Sequence, residues 1–232
     1  MVSEISVSGL VVAFLPSLVV VVILLRWHSV AKTAIYAMAR MLVQLLLIGY
    51  VLIYIFQTDY WIVITAVLAV MLTVSSWIAI RPLDQRNLRS YLQALGAITT
   101  GGVLTLALVT QFVIGVEPWY SPRYVVPLAG MIFAGSMNAV SLAAERFQAE
   151  RGRDVDYVEA RRTALQAALI PIMNSLFAVG IVALPGMMTG QILSGVSPLI
   201  AAKYQIVVMT MLFGATGISA ATYLRLQRPA SG

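Results

Sequence analysis

The side chains of this sequence that could do chemistry are few, and none of them falls in a catalytic pattern. There are no cysteines, which excludes thiolate nucleophiles, thiolate metal sites and disulfides. The one histidine, His28, stands beside Trp27, and no serine sits in a nucleophile elbow. No GxxxxGK[ST] loop is present to cradle nucleotide phosphates. The sequence therefore predicts a chain that is not an enzyme, binds no cofactor by itself and cannot hydrolyse ATP alone.

Arg40 is the ionisable residue that the sequence places deepest inside a long apolar run. A charge near the centre of a bilayer costs about 2.5 to 3.5 kcal/mol on insertion scales, and such residues tend to mark function. Tyr36, Arg40 and Gln44 repeat every four residues, so they share one helix face. We expect Arg40 and Gln44 to face protein or a water-filled substrate path. The alternative is that Arg40 reaches back to the membrane interface and only fixes topology.

Two asparagines also lie in apolar runs. Asn138 follows Gly130 and Ala134 at four-residue spacing, and such small residues let a neighbouring helix approach closely. Asn138 and Asn174 either hydrogen-bond between packed helices or contact substrate. The pairs Gly130/Ala134 and Gly217/Ala221 are candidate contact faces between two copies of the chain.

Prolines and glycines interrupt the apolar sequence LPGMMTGQILSGVSP, residues 184–198. Backbone freed from helical bonding is tolerated at membrane depth where protein or water satisfies it, and broken helices of this kind often line a substrate path. The candidate gate residues here are Pro185, Gly186, Met187, Met188, Thr189, Gly190 and Gln191. The alternative is an outer turn with a kink at Pro185. Thioether ligands for a soft metal could come from Met137, Met173, Met187 and Met188, although methionine more often packs.

Seven runs of about twenty apolar residues set the fold class. Of the 232 residues, 60% are hydrophobic and 10% are charged, whereas soluble domains carry roughly 25% charged residues. We predict an all-α integral membrane protein with one transmembrane domain over residues 1–232. Its seven spans lie at about 7–25, 34–56, 61–80, 92–116, 124–144, 171–193 and 204–224.

The basic residues predict the direction in which the spans run. The formal net charge is +6, but the basic residues sit in short segments between apolar runs, a pattern that indicates topology rather than nucleic-acid binding. With the N-terminus outside, Arg123 and Lys203 fall outside and the other thirteen of the 15 Lys and Arg residues fall inside. We predict a multi-pass membrane protein, surrounded by lipid, with its N-terminus out and its C-terminus in.

The longest polar stretch, residues 145–166, lies on the predicted inner side. Span five should continue as helix to Arg151 and end at Gly152. Asp154 can then cap an amphipathic helix over about residues 154–168, and Pro171 marks the point where the chain turns into span six. This helix either lies on the inner leaflet or docks a cytoplasmic partner. Its candidate docking residues are Asp154, Val155, Tyr157, Val158, Glu159, Arg161 and Arg162.

Three strings carry a resemblance to a known family. They are ARMLVQLLLIGYVL (39–52), GMIFAGSMNAVSLAAERF (130–147) and IPIMNSLFAVGIVALPGMMTGQILSGVSPLIAAKYQIVVM (170–209). With them the chain, from about residue 5 to 225, resembles the FetB/YbbM-like permeases, the membrane subunits of a small class of ABC transporters. The string LPGMMTGQ with its downstream Ser-Pro and Tyr-Gln is the most specific part.

The resemblance implies a permease that moves substrate across the cytoplasmic membrane, paired with a separate ATPase subunit as two copies of each. ATP and Mg²⁺ would bind in the ATPase, and the helix 154–168 would be the coupling helix that inserts into it. Members are associated with iron export and metal or oxidative stress tolerance, and plant relatives with aluminium tolerance and nucleotide-sugar movement. Trivalent cations prefer carboxylates, yet no Asp or Glu lies inside a predicted span, so the substrate and any metal ligands are left open.

Two other function classes are consistent with the residues. A gradient-driven carrier or channel would act without ATP, but it would usually need an acidic residue in mid-membrane, which is missing. A scaffold that transports nothing would tolerate replacement of Arg40, Asn138 and the Pro-Gly breaks.

Overall fold

The structure, a computed structural model, describes residues 6–58 and 60–228. Within these ranges the secondary structure is helical apart from one isolated bridge, between Val179 and Ala183. The all-α prediction is confirmed for this part of the chain. Contacts divide the chain into two compact units, Met1–Gln57 and Thr58–Gly232, which are described in turn.

Among its described residues, from position 6 onward, the first unit holds three helices, α1 (Val7–Ala13), α2 (Leu15–Arg26) and α3 (Ala31–Gln57). Ser6 caps α1 by accepting a hydrogen bond from the Gly9 N–H at 3.1 Å. The break after α1 comes at Phe14, just before Pro16 in the first turn of α2, a position where the missing proline N–H costs nothing. Most large apolar side chains of α2 and α3 are exposed, as expected of helices that face lipid.

The second unit holds seven α-helices and two π-helical turns among its described residues. They are α4 (Trp61–Ala79), α5 (Leu88–Ile98), π1 (Thr99–Val103), α6 (Leu104–Leu108), π2 (Val109–Ile114), α7 (Pro122–Arg151), α8 (Tyr157–Ala178), α9 (Gly186–Leu193) and α10 (Pro198–Leu226). The elements α5 to π2 form one continuous helical rod, Leu88–Ile114.

Six helices of the described residues are long and apolar enough to cross a membrane, one fewer than the sequence predicts. They are Ser8–Arg26, Ala31–Gln57, Trp61–Ala79, Leu88–Ile114, Pro122–Arg151 and Pro198–Leu226. The missing one is the predicted span 171–193. There, α8 ends at Ala178, a turn follows with Gly180 at φ 83°, and α9 begins at Gly186. The residues of that span therefore form two helices, the end of α8 and α9, and the break between them includes Leu184 and Pro185 of the predicted interruption.

The prediction of a separate helix over 154–168, ending before Pro171, is also wrong. α8 runs unbroken from Tyr157 through Pro171 to Ala178. Its cap is Asp156, whose Oδ1 accepts from the Val158 N–H at 2.6 Å, while Asp154 lies in the preceding turn at φ 61°. Packing of a continuous helix face on neighbouring helices outweighs the local preference of proline for a helix start.

Small residues line the core between α7, α8 and α10. One buried cluster brings together Ala139, Ala143, Ala164, Ala168, Ala220 and Leu224. Side chains this short let helix backbones approach closely, which compensates for the weak hydrophobic drive between helices in lipid. Ala160, Ala164 and Ala168 recur every four residues and are all buried, so α8 presents one face of small residues to the helices packed against it.

Two adjacent glycines fit π1 against its neighbours. A Cβ on Gly101 would collide with Ser219 Oγ of α10 and lie 2.7 Å from the Ala215 carbonyl oxygen. A Cβ on Gly102 would lie 3.1 Å from the Phe133 ring of α7. Any larger residue at position 101 would therefore push α10 away from π1.

Candidate functional site

α7, α8 and α10 border an open cavity of about 260 Å³. Its polar lining consists of the Asn138 amide, the Ser175 hydroxyl and the Thr216 hydroxyl, and its apolar lining includes Met131, Ile172 and Leu212. Pro171 also lines it. The cavity is thus a mixed surface that α8 helps to form near its C-terminal end.

The amides of Asn138 and Asn174 are exposed on the second unit. Asn138 faces the cavity, while Asn174 stands next to the cavity residue Ser175 on α8. The Ser175 hydroxyl donates to the Pro171 carbonyl at 2.9 Å. Among the described residues neither asparagine has a hydrogen-bond partner, so bonding between packed helices inside this unit does not account for them. Each amide is free to meet a ligand, water or a second copy.

The predicted gate residues on α9 lie near the N-terminal ends of α7 and α10. Met187 of α9 borders a small pocket of about 40 Å³ with Tyr124 and Leu128 of α7 and Tyr204 and Val208 of α10. The structure therefore places Met187 against the first turns of these helices and not in the cavity of Asn138.

The rest of α9 is loosely surrounded. Pro185 is its N-cap residue, and the Thr189 hydroxyl donates to the Pro185 carbonyl at 3.1 Å. A Cβ added at Gly186 or Gly190 would meet no atom within 4 Å. Met188 is half-buried. A side chain could therefore be added at Gly186 or Gly190 without a clash at its Cβ.

Four buried polar side-chain atoms lack a partner within the described part of the chain. They are the Oε1 atoms of Gln191 and Gln205 and the Oγ atoms of Ser136 and Ser219. Gln205, Ser136 and Ser219 are not among the residues predicted from the sequence. Each is a single polar residue within an apolar run, and that pattern is the signal that could have identified it. Buried unpaired groups are costly, so these positions are candidates for function.

Arg40 and Gln44 form a pair on α3 of the first unit. The Gln44 amide, with its oxygen turned to the guanidinium, accepts hydrogen bonds from Arg40 Nε at 3.1 Å and Nη2 at 3.2 Å. The expectation that both residues share one helix face agrees with this contact. The amide offers Arg40 a partner within the helix, which lowers the cost of holding its charge near lipid.

At one end of the second unit α7 and α10 finish and α8 begins; we call this the arginine-rich end. The Tyr157 hydroxyl donates to the Leu224 carbonyl at 3.0 Å, and its ring packs edge-to-face on Phe147 with centroids 5.9 Å apart. The Arg161 guanidinium lies 5.5 Å from the centre of the Tyr157 ring. Tyr157 thus anchors the first turn of α8. Around it Val158, Glu159, Arg161 and Arg162 stay exposed.

Short contacts hold the link between α7 and α8. Glu150 is buried and pairs with Arg146, and Arg151 Nη1 donates to the Val155 carbonyl at 2.7 Å. Across the same end, the Gln148 amide donates to Asp84 Oδ2 at 2.8 Å. The Arg151 bond thus holds the turn between α7 and α8, and the Gln148 bond ties the end of α7 to the link between α4 and α5.

A search for relatives identifies the chain's family. The profile described as "Uncharacterised protein family (UPF0014)" matches residues 7–230. The chain is 35% identical over 208 residues to the UPF0014 membrane protein slr1647 of Synechocystis, covering 82% of this chain and 80% of that protein. No solved structure matches.

Two further relatives confirm the resemblance that the three strings carry. The "Probable iron export permease protein FetB" of Escherichia coli is 31% identical over 220 residues, covering 87% of this chain and 83% of FetB. The "Protein ALUMINUM SENSITIVE 3" of Arabidopsis thaliana is 30% identical over 211 residues, covering 84% and 75%. With its six long apolar helices, the chain is a multi-pass membrane protein that belongs to the UPF0014 family.

Proposed function

We propose that the chain is the membrane-spanning permease subunit of an ABC transporter, and that a separate cytoplasmic ATPase supplies its energy. The name of the relative FetB supports permease activity and makes iron a candidate cargo. The excess of Lys and Arg supports an orientation with the arginine-rich end in the cytosol of a cell with an inner membrane. ATP and Mg²⁺ would bind in the ATPase.

The observation that carries this proposal is the continuity of α8. Its first two turns present Glu159, Arg161 and Arg162 to solvent, and the same unbroken helix lines the cavity with Pro171 and Ser175. From Arg161 to Pro171 the helix rises about 15 Å. A partner that moves the exposed start of α8 would therefore move the cavity wall as well, without an intervening loop to absorb the motion.

A homodimer would complete the path. The cavity is open, and the Asn138 and Asn174 amides face outward with no partner among the described residues, so a second copy placed against this side would enclose them. The small residues Gly130 and Ala134 continue the same face of α7. In this arrangement α9, with Pro185 to Gln191, forms the outer gate. Arg40 and Gln44 of α3, in the first unit, stay candidate substrate contacts.

Reconstitution tests the proposal. The permease and a candidate cytoplasmic ATPase would be placed together in vesicles, with iron and ATP supplied on the ATPase side. We expect iron to cross when both subunits and ATP are present, and no transport with the permease alone or with a non-hydrolysable ATP analogue. Transport by the permease alone would favour the gradient-driven carrier, and no transport of any tested cargo by the complex would favour the scaffold.

A further inference from the structure

We propose that the turn Val179–Ala183, between α8 and α9, is embedded in the hydrocarbon of the membrane in contact with lipid acyl chains. α8, this turn and α9 would then form one membrane crossing made of two helices. This inference concerns the membrane surface of the chain and stands independently of ATP coupling.

The backbone of the turn satisfies its own hydrogen-bond donors. The N–H of Val179 donates to Ser175, and the N–H groups of Ile181, Val182 and Ala183 all donate to the Ala178 carbonyl, at 2.8 to 3.2 Å. The Gly180 N–H donates to the Ala183 carbonyl at 2.9 Å. All five consecutive N–H groups are therefore paired within the chain. Unpaired donors are costly in lipid, so this pairing lowers the cost of placing the N–H groups of the turn there.

The side chains at the tip of the turn are apolar and largely exposed. Ile181 is 90% exposed and Val182 is 82% exposed, and they are flanked by Phe177 at 77% and Leu184 at 61%. A turn in water is usually built from polar residues, Gly and Pro. Four large apolar side chains standing out from one turn instead predict a nonpolar medium around it.

The estimated height of the turn along the membrane normal agrees with a position in the hydrocarbon. No charged residue occurs between Arg162 and Lys203. If Arg162 marks the inner edge of the hydrocarbon, α8 rises about 24 Å to Ala178, which is short of the roughly 30 Å thickness of the hydrocarbon. Lys203 to Arg225 on α10 spans about 33 Å, so those two charges reach both edges. The turn therefore falls within the outer leaflet.

Three hydroxyl groups in this uncharged stretch also bond locally. The hydroxyls of Ser175, Thr189 and Ser194 each donate to the carbonyl four residues earlier, at 2.9 to 3.1 Å. Such bonds remove the cost of placing a hydroxyl in lipid.

Lipid suits the turn better than a second copy of the chain does. Contacts between membrane helices favour small residues, and the tip instead carries large branched ones. The exposed apolar surface also continues from the turn onto the lipid-facing sides of its two neighbours, at Ile170 of α8 (57% exposed) and Leu199 and Ile206 of α10 (80% and 66%).

Single cysteines test the inference, because the natural chain has none. Val182→Cys and Ile181→Cys change exposed side chains, so folding should be unaffected. Glu117→Cys, an exposed charged position in the link before α7, is the control for the same end of the unit. Membranes opened on both sides would be treated with a membrane-impermeant maleimide. Since maleimide needs the thiolate, which apolar surroundings disfavour, we expect positions 181 and 182 to react at least about tenfold more slowly than position 117.

A lipid-phase quencher separates lipid from protein cover. A bimane fluorophore would be attached to Val182→Cys in detergent, and the protein reconstituted in vesicles whose phospholipids carry doxyl groups on their acyl chains. We expect strong quenching at position 182 and little at position 117. Maleimide labelling at the rate of position 117 would overturn the inference. Slow labelling without doxyl quenching would also overturn it, because a second copy would then cover the turn.

Discussion

The hydroxyl of Tyr157 donates a hydrogen bond to the carbonyl of Leu224 across 3.0 Å, which joins the first turn of α8 to the last turn of α10. The exposed docking residues follow directly on α8, so this bond lies between the proposed ATPase surface and the rest of the unit. A movement of the first turn of α8 is therefore either transmitted to α10 by this hydrogen bond or breaks the bond.

Tyr157→Phe removes that bond and keeps the packing of the ring on Phe147. We expect a loss of about 1 kcal/mol in unfolding free energy, seen as a lower thermal midpoint in detergent, and weaker ATP-driven transport with unchanged ATPase binding. Tyr91→Phe is the matched control, because the Tyr91 ring packs on Trp77 and its hydroxyl has no partner among the described residues. Equal midpoints for the two variants would show that the bond contributes nothing.

Reversal of charge on α8 tests the docking surface. Replacing Arg161 and Arg162 together with Glu should abolish co-purification of the ATPase, because both side chains are exposed beside the anchored Tyr157. Arg86→Glu with Arg89→Glu reverses the same charge on exposed residues of the α4–α5 side and so controls for topology effects. ATPase recovery equal to wild type in the Arg161/Arg162 variant would remove these residues from the docking surface.

Enlargement of Gly186 tests the gate. Because a Cβ there meets no atom within 4 Å, Gly186→Leu should fold and assemble normally while it obstructs the path beside α9. We expect transport to fall below about a tenth of wild type, a size of loss that follows from placing bulk in a narrow path. Gly96→Leu on α5, also with open space around it, should transport normally. Normal transport by Gly186→Leu would leave residues 185–191 as an outer turn.

Gly101→Ala tests the close approach of π1 to α10. The new methyl group would collide with Ser219 and the Ala215 carbonyl, so we expect a loss of about 1 to 3 kcal/mol. Gly96→Ala, in open space, should instead be neutral or stabilising by up to about 1 kcal/mol, since alanine favours helix. Thermal unfolding of both variants in detergent measures the difference. A midpoint for Gly101→Ala at or above that of Gly96→Ala would contradict the packing described for π1.

Much of the fold can be predicted from the hydropathy of the chain. Six long apolar helices lie where runs of about twenty apolar residues predict them, because length and hydrophobicity alone decide whether a segment can cross lipid. The boundaries at Pro171 could not be predicted in this way. There, Pro171, Ile172 and Ser175 border one cavity with residues of α7 and α10, and that tertiary arrangement is invisible in the local sequence.

The candidate site could be predicted only in its parts. Asn138 and Met187 stand out in the sequence as a polar residue and a soft ligand in apolar surroundings, yet the structure places them in different pockets. The buried Gln205 and the fit of Gly101 on Ser219 depend on which helix faces which. Period and composition do not encode that choice when every face of a membrane helix is apolar.

The π-helical turn π1 also bears on how the length of the rod Leu88–Ile114 can change. When one residue is removed from an ordinary membrane helix, the side chains on one side of the deletion rotate by about 100° around the helix axis relative to those on the other side. A π turn already holds one surplus residue as a bulge. Deletion of Thr100 would convert π1 into a plain α turn and leave α5 and α6 facing the same neighbours. At position 100, next to the close contact of Gly101 with α10, one residue can therefore be deleted without rotating the helix segments on either side of it.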